Sequence, residues 1–203
     1  AMAAVISPVS LGMTWSGGLL NLGGGGYVAE AIGAGYQDFA GATVVHGLGG
    51  IAGLTAAKMI GPRTGRFNED GSSNAIPGHS VLLAMLGTLF LAFGWYGFNV
   101  GTQATVLGGP GEAETIAAGL NNMAFKGDLL GRVLLNTTLA MGIGAVASTL
   151  VTTFREGKPD PLFAANGLLA GLVAITGACF HVTWYGALVI GLVGGIQTPF
   201  VYH

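Results

Sequence analysis

SVLLAMLGTLFLAFGWYGFNVGTQATV, from Ser80 to Val106, carries no Asp, Glu, Lys or Arg. A helix rises 1.5 Å per residue, so about 20 apolar residues cross a hydrocarbon core. This stretch has that length and predicts a membrane-spanning helix. Working outward, further runs of spanning length lie on both sides. Met2 to Leu22 is one, interrupted by Pro8, and Phe39 to Ile60 is another. Leu129 to Phe154 is a fourth span, with Arg132 near its start. Pro161 to His203 has no charged residue and is too long for one crossing. A turn over Cys179 to Trp184 divides it into a fifth span from Leu162 and a sixth from Trp184. The expected fold is all-α, a polytopic transmembrane helical bundle. It is one domain over residues 1–203, with spans at 2–22, 39–60, 80–106, 129–154, 162–178 and 184–201.

Composition supports lipid as the solvent. Only 8% of the 203 residues are Asp, Glu, Lys or Arg, against about 25% in an average soluble domain. Hydrophobic residues reach 51%, and the mean hydropathy is +0.66. So few charges cannot clothe a soluble core. The net charge of −2 gives no support for a nucleic-acid partner. Gly contributes 38 residues without a collagen period, and Gly among apolar residues lets membrane helices approach closely. Cys179 is the single cysteine, so no disulfide framework exists. The start AMAAVISPVS has no basic segment ahead of an apolar one, so no signal peptide is read. Both ends lie within apolar sequence, as expected of a piece of a longer protein.

Six spans put the loops alternately on two sides. Lys58, Arg63, Arg66, Arg155 and Lys158 fall on one side. Lys126 and Arg132 fall on the other, beside Glu112, Glu114 and Asp128. The positive-inside rule makes the first side cytoplasmic. The loop GPRTGRFNEDGSSNAIPGHS is then cytoplasmic and turn-rich. Asp38 lies at the outer end of the second span. The sequon Asn136-Thr137-Thr138 falls inside the fourth span, where no glycosylating enzyme reaches.

Few residues in these spans can do chemistry. His46 is an ionisable group in an apolar helix, and such a group faces protein or a water-filled path. Gly49, Gly50 and Gly53 follow at i+3, i+4 and i+7, which places them on the face of His46. Both a structural histidine and a pathway histidine fit that placement. Asp38 reads locally as a helix cap, and a cap can also serve a site. In FGWYGFNVGTQ, Trp95, Phe98, Asn99 and Thr102 form one face, and Gly94, Gly97 and Gly101 another. Counting inward from Val106, Phe98 lies on the order of 12 Å below the outer boundary. Counting from Phe39, His46 lies on the order of 10 Å below it. Phe98 and His46 thus share a depth, with Trp95 one turn deeper. An aromatic beside a buried histidine suits a narrow path, because aromatic faces attract cations and imidazole exchanges protons. Trp15, near the outer end of the first span, reads alone as an interfacial residue. His79, His181 and His203 show no metal-ligand spacing. No cofactor or metal is implied. Gly23 to Gly26 lacks the Lys-Ser/Thr of a phosphate loop.

DFAGATVVHGLGGIAGL, Asp38 to Leu54, resembles the signature of the ammonium transporter family. GPRTGRF and PGHS follow as in its plant and algal members. FGWYGFNVGTQ and ANGLLAGLVAITGACF resemble two later spanning helices. The resemblance implies an eleven-helix fold with an inverted repeat of five plus five, assembled as a homotrimer with one pore per subunit. This chain resembles roughly helices four to nine. His46 would be the first of twin pore histidines, Phe98 part of the aromatic gate, and Trp95 a pore-lining residue. Trp15 and Thr102 would help recruit ammonium at the outer mouth, and Asp38 would support that site. The second pore histidine and the other gate phenylalanine belong to helices outside this sequence. Thr102 stands where many members have Ser, and keeps the hydroxyl.

The implied activity is transport of ammonium or ammonia across the plasma membrane. The cation would be deprotonated near the gate, and neutral ammonia would pass the pore. A Rhesus-type gas channel of the same superfamily is one alternative, though the Trp15, Trp95 and Thr102 set favours the ammonium transporter branch. A sensor signalling through a cytoplasmic partner is another. No nucleophile–base pair or metal cluster supports an enzyme.

Overall fold

The computed structural model describes residues 2–15, 18–21, 26–33, 35–105 and 127–202. The expected end of the third span at Val106, the loop charges Glu112, Glu114 and Lys126, the Asp128 side chain and His203 lie outside what is described.

The described chain is almost entirely helical, with no strand and one isolated bridge, Phe67 to Ser73. A π-helical turn, Met2–Ile6, runs into α1, Ser7–Thr14. α1 stops at Thr14, short of Leu22. α2, Tyr27–Ile32, is a short helix in the segment that follows. A second π-helical turn, Ala42–Gly47, opens α3, Leu48–Ile60. α4 is Val81–Thr105 and α5 is Gly127–Glu156. α6 is Pro161–Thr176 and α7 is Trp184–Tyr202. Among the described residues, four stretches are long and apolar enough to cross a membrane: Ala42–Ile60, Val81–Thr102, Leu130–Glu156 and Trp184–Val201. Ala4–Thr14 and Pro161–Thr176 are apolar but shorter.

Local chemistry sets the ends. Asp160 is extended and accepts a bond from the Leu162 amide at 2.7 Å, and Pro161 opens α6 with a fixed φ. Gly61, at φ +79°, ends α3, and Pro62 prevents its continuation. Inside α7, Pro199 cannot donate to the carbonyl one turn back. The Thr198 hydroxyl donates to that Gly195 carbonyl at 2.6 Å and compensates.

α5, α6 and α7 pack mutually, and α4 leans on α5 and α6. The seam of the three-helix core is built from small residues. Ala140, Gly144 and Ser148 on α5 meet Gly167 and Gly171 on α6, and Gly191 and Gly195 on α7. A Cβ at Gly144, Gly167, Gly171, Gly191 or Gly195 would collide with a facing carbonyl. Each glycine pair is spaced by four, the geometry that lets backbones touch in lipid. Fully buried Val133, Leu172, Ile175, Cys179 and Ala187 fill the space beside the seam. Asn136 in α5 is buried, and its amide donates to the carbonyls of Cys179 and Val182, each at 2.8 Å. That pair of bonds holds the turn between α6 and α7.

The glycines of α3 and α4 behave differently. A Cβ at Gly49, Gly50, Gly53, Gly94, Gly97 or Gly101 would meet nothing within 4 Å among the described residues. The expected common face of His46 with Gly49, Gly50 and Gly53 assumed an unbroken α period. His46 lies near the end of the wide turn Ala42–Gly47, so the path from His46 to Gly49, Gly50 and Gly53 runs almost wholly through α3, yet those glycines meet no described neighbour. The packing of His46 comes from α4 instead.

Candidate functional site

Asp38 organises the entry to the second span. Its carboxylate accepts from four consecutive backbone amides. Oδ1 takes Gly41 at 3.1 Å and Ala42 at 2.7 Å, and Oδ2 takes Thr43 at 2.8 Å and Val44 at 2.9 Å. The first turn of a helix has four amides without a partner, and one side chain satisfies all of them here. Asp38 is only 4% exposed. Two glycines make this possible. Gly41 sits at φ +102°, and a Cβ there would lie 2.6 Å from Val45 Cγ2. A Cβ at Gly177, at the end of α6, would lie 2.8 Å from Asp38 Oδ1. Phe39 and Ala40 also donate their amides to the carbonyls of Gly177 and Thr176, at 2.9 and 3.1 Å. The cap is thus fastened to the end of α6.

Trp15 joins this group. Its indole Nε1 donates to the Asp38 carbonyl at 2.7 Å, although the ring is 41% exposed. A belt tryptophan needs no such fixed bond, so the indole is an anchored wall beside the cap.

The same turn carries His46, whose amide donates to the Gly41 carbonyl at 3.0 Å. Its imidazole stacks on Trp95 with centroids 4.9 Å apart and planes 25° apart. Phe98 lies 5.3 Å away, tilted by 42°, and 6.0 Å from Trp95. The common depth expected for His46 and Phe98 is seen as ring contact. Beside the three rings is a cavity of about 250 Å³, completed by Phe90, Leu91 and Gly94. His46 Nε2 is buried and has no hydrogen-bond partner among the described residues. That nitrogen has spare hydrogen-bonding capacity beside the cavity.

Sequence reasoning brought His46, Trp95 and Phe98 into one place, and Asp38 and Trp15 into another. The two groups are joined through the turn Ala42–Gly47. Thr102 is one turn beyond Phe98, and its hydroxyl donates to the Phe98 carbonyl at 3.0 Å. Sequence reasoning missed Thr176, whose hydroxyl accepts from Trp95 Nε1 at 2.8 Å and donates to the Leu172 carbonyl at 2.7 Å. A hydroxyl closing ANGLLAGLVAIT was the available signal. It also missed Thr137, which accepts from the Asn99 amide at 2.9 Å.

The sequence model described as the Ammonium Transporter Family matches residues 1–203. Ammonium transporter Amt1 of Haloferax mediterranei is 65% identical over 190 residues, covering 94% of this chain and 35% of that relative. Ammonium transporter Amt2 of the same organism is 52% identical over 202 residues, covering 100% of this chain and 40% of that relative. The structure called Sensor Amt Protein superposes with a TM-score of 0.76 at 34% identity, covering 98% of this chain and 44% of that one. The chain therefore spans well under half the length of these relatives. The plant and algal affinity expected from the loop motifs is corrected. Ammonium transporter 1 member 1 of Oryza sativa is 42% identical over 161 residues, below both archaeal relatives. The loop was a poor guide to lineage because Gly61, Gly65 and Gly71 are all at positive φ. Such turn geometry selects the same residues in any lineage. A match along the whole sequence, relatives up to 65% identical and a shared helical fold lead to one statement: this chain belongs to the ammonium transporter family of integral membrane proteins.

Proposed function

We propose that this chain forms part of a transmembrane path for ammonium and ammonia in the plasma membrane, within a homotrimeric transporter. The observation that carries the reading is the ring cluster of His46, Trp95 and Phe98, with an unpartnered imidazole nitrogen beside a small cavity. An intact cation in an apolar path is costly. Ammonium also resembles potassium in size, so a sieve alone separates them poorly. Loss of a proton near the Phe98 ring, the proton travelling separately from the ammonia or returning to the outside, removes both difficulties. Neutral ammonia then travels past His46, whose free nitrogen gives it a hydrogen-bond partner. Trp95, held by Thr176, keeps one wall of that path fixed.

At the outer mouth, the exposed face of Trp15 attracts the cation. The Thr102 hydroxyl supplies an oxygen in place of hydration water. Asp38 supports the mouth through the backbone, since its carboxylate is taken up by four amides.

His46→Ala in the full-length protein tests the reading. Ammonium and methylammonium uptake, and discrimination against potassium, are measured at equal surface amounts. Loss of transport or of discrimination is expected. Unchanged uptake with unchanged discrimination removes His46 from the path.

The likeness to the structure named Sensor Amt Protein favours one second reading, in which occupancy of the same site is signalled to a cytoplasmic partner. A variant that binds ammonium without moving it distinguishes the two. Retained signalling in cells supports sensing, and lost signalling supports transport alone.

A further inference from the structure

We propose that Asn99 is a positioning residue for the ring cluster, acting through its bond to Thr137. Within this chain, few described apolar residues of α4 are buried. Among its described side chains only Thr88, Ala92 and Asn99 are buried within this chain, while Leu82, Leu83, Leu89, Phe90 and Phe93 are well exposed. A stripe that narrow defines an axis position but resists rotation weakly. Polar bonds must then set the angle. Three do so within little more than one turn. Trp95 Nε1 reaches Thr176 on α6, the Tyr96 hydroxyl meets Thr138 of α5 at 2.8 Å, and the Asn99 amide donates to Thr137 of α5 at 2.9 Å.

Only the Asn99 bond is fully buried, with both residues at 0% exposure. It is therefore the one that water cannot replace. Asn99 follows Phe98 directly, and neighbours on a helix stand about 100° apart. Holding Asn99 against α5 turns Phe98 toward the second span, where it meets His46 at 5.3 Å. A buried polar contact that specifies register at little gain in stability has precedent in helical bundles. The functional consequence rests on the transport reading above, whereas the geometry does not.

The test uses the full-length protein with Asn99→Ala, Thr137→Val, their combination, and Thr137→Ser, which keeps the hydroxyl. Two readouts are taken at equal surface amounts. The first is the rate at which diethylpyrocarbonate labels His46, read by mass spectrometry; it reports exposure of the imidazole whether or not the protein transports. The second is the ratio of ammonium to methylammonium uptake. Asn99→Ala and Thr137→Val should each speed His46 labelling and lower the uptake ratio, by up to about fivefold, the worth of one buried neutral hydrogen bond. The double variant should be no worse than either single one, and Thr137→Ser should match the wild type. If Asn99→Ala does not accumulate, the Thr137→Val and Thr137→Ser pair decides. Unchanged His46 labelling in Thr137→Val, or additive effects in the double variant, overturns the proposal. Absence of ammonium uptake in the wild type removes the transport reading and leaves the labelling result to judge Asn99.

Discussion

Asp38→Asn separates a carboxylate that acts on a cation from one that acts on the backbone. Asparagine keeps the shape and one acceptor oxygen. Its amino group would face two backbone amides that now donate to a carboxylate oxygen. Two of four charge-assisted bonds are lost, each worth about 1.5–3 kcal/mol. The bonds to Gly41 and Val44 are buried, while those to Ala42 and Thr43 are partly so. Each oxygen serves one buried and one partly buried amide, so water can relieve only one of the two lost bonds, which leaves a cost of about 3 kcal/mol. That is a large share of the roughly 5–15 kcal/mol that holds a typical domain. In thermal denaturation it should appear as a lowered apparent midpoint.

The assay is thermal denaturation of the purified full-length protein in detergent, at one scan rate, beside ammonium uptake at equal surface amounts. Asp38→Asn should lower the midpoint and reduce uptake together, because the turn that carries His46 loosens. Asp38→Glu should be no rescue. The longer side chain has no room where Gly177 already approaches Oδ1. An Asp38→Asn protein with an unchanged midpoint and abolished uptake would refute the reasoning. The charge would then act on the cation directly.

Two further outcomes follow from other parts of the molecule. Gly195→Val should cut the yield of folded protein and lower its midpoint, by about 1–3 kcal/mol for overpacking. Gly142→Val, on the open side of the same α5 helix that Gly195 touches, should do neither, and both are read by detergent gel filtration and thermal denaturation. Trp15→Leu and Thr102→Val should weaken apparent affinity for ammonium more than maximal uptake. The concentration dependence of uptake checks this, and a lost maximum with unchanged affinity would assign both residues to folding.

Lipid imposes a nearly one-dimensional rule, and that rule made most of the architecture legible. An uncharged run such as Ser80 to Val106 must be helical, and its length must fit the hydrocarbon. The same rule made His46 and Asp38 conspicuous, since each interrupts apolar sequence. Shared depth along two spans sufficed to anticipate the meeting of His46 and Phe98. The glycine seam was hidden for the opposite reason. Among 38 glycines, spacing alone does not tell Gly167 and Gly171, which touch α5, from Gly97 and Gly101, which touch no described residue. Contact depends on the rotation of each helix, and rotation is decided by partners distant in sequence. The π-helical turn at Ala42–Gly47 was hidden too, because nothing in ATVVHG marks it off from an ordinary helical turn.

These hidden features bear on the site in a common way. The Asp38 cap depends on room left by Gly177, Trp95 is held by Thr176, and α4 is set by Thr137. The residues proposed to meet a guest molecule lie just after α1, in the Ala42–Gly47 turn and on α4, whereas the groups that aim them lie on α5 and on or at the end of α6. A conservative change at Thr176 or Gly177 is therefore expected to disturb the site as much as a change at its rim. An apolar residue of α4 that is exposed in this chain, such as Leu82 or Phe93, should tolerate replacement by another apolar residue. The three-helix core α5–α7 acts as the rigid body against which a sparsely packed α4 and a carboxylate-capped second span are registered, and the geometry around His46 is a property of that registration.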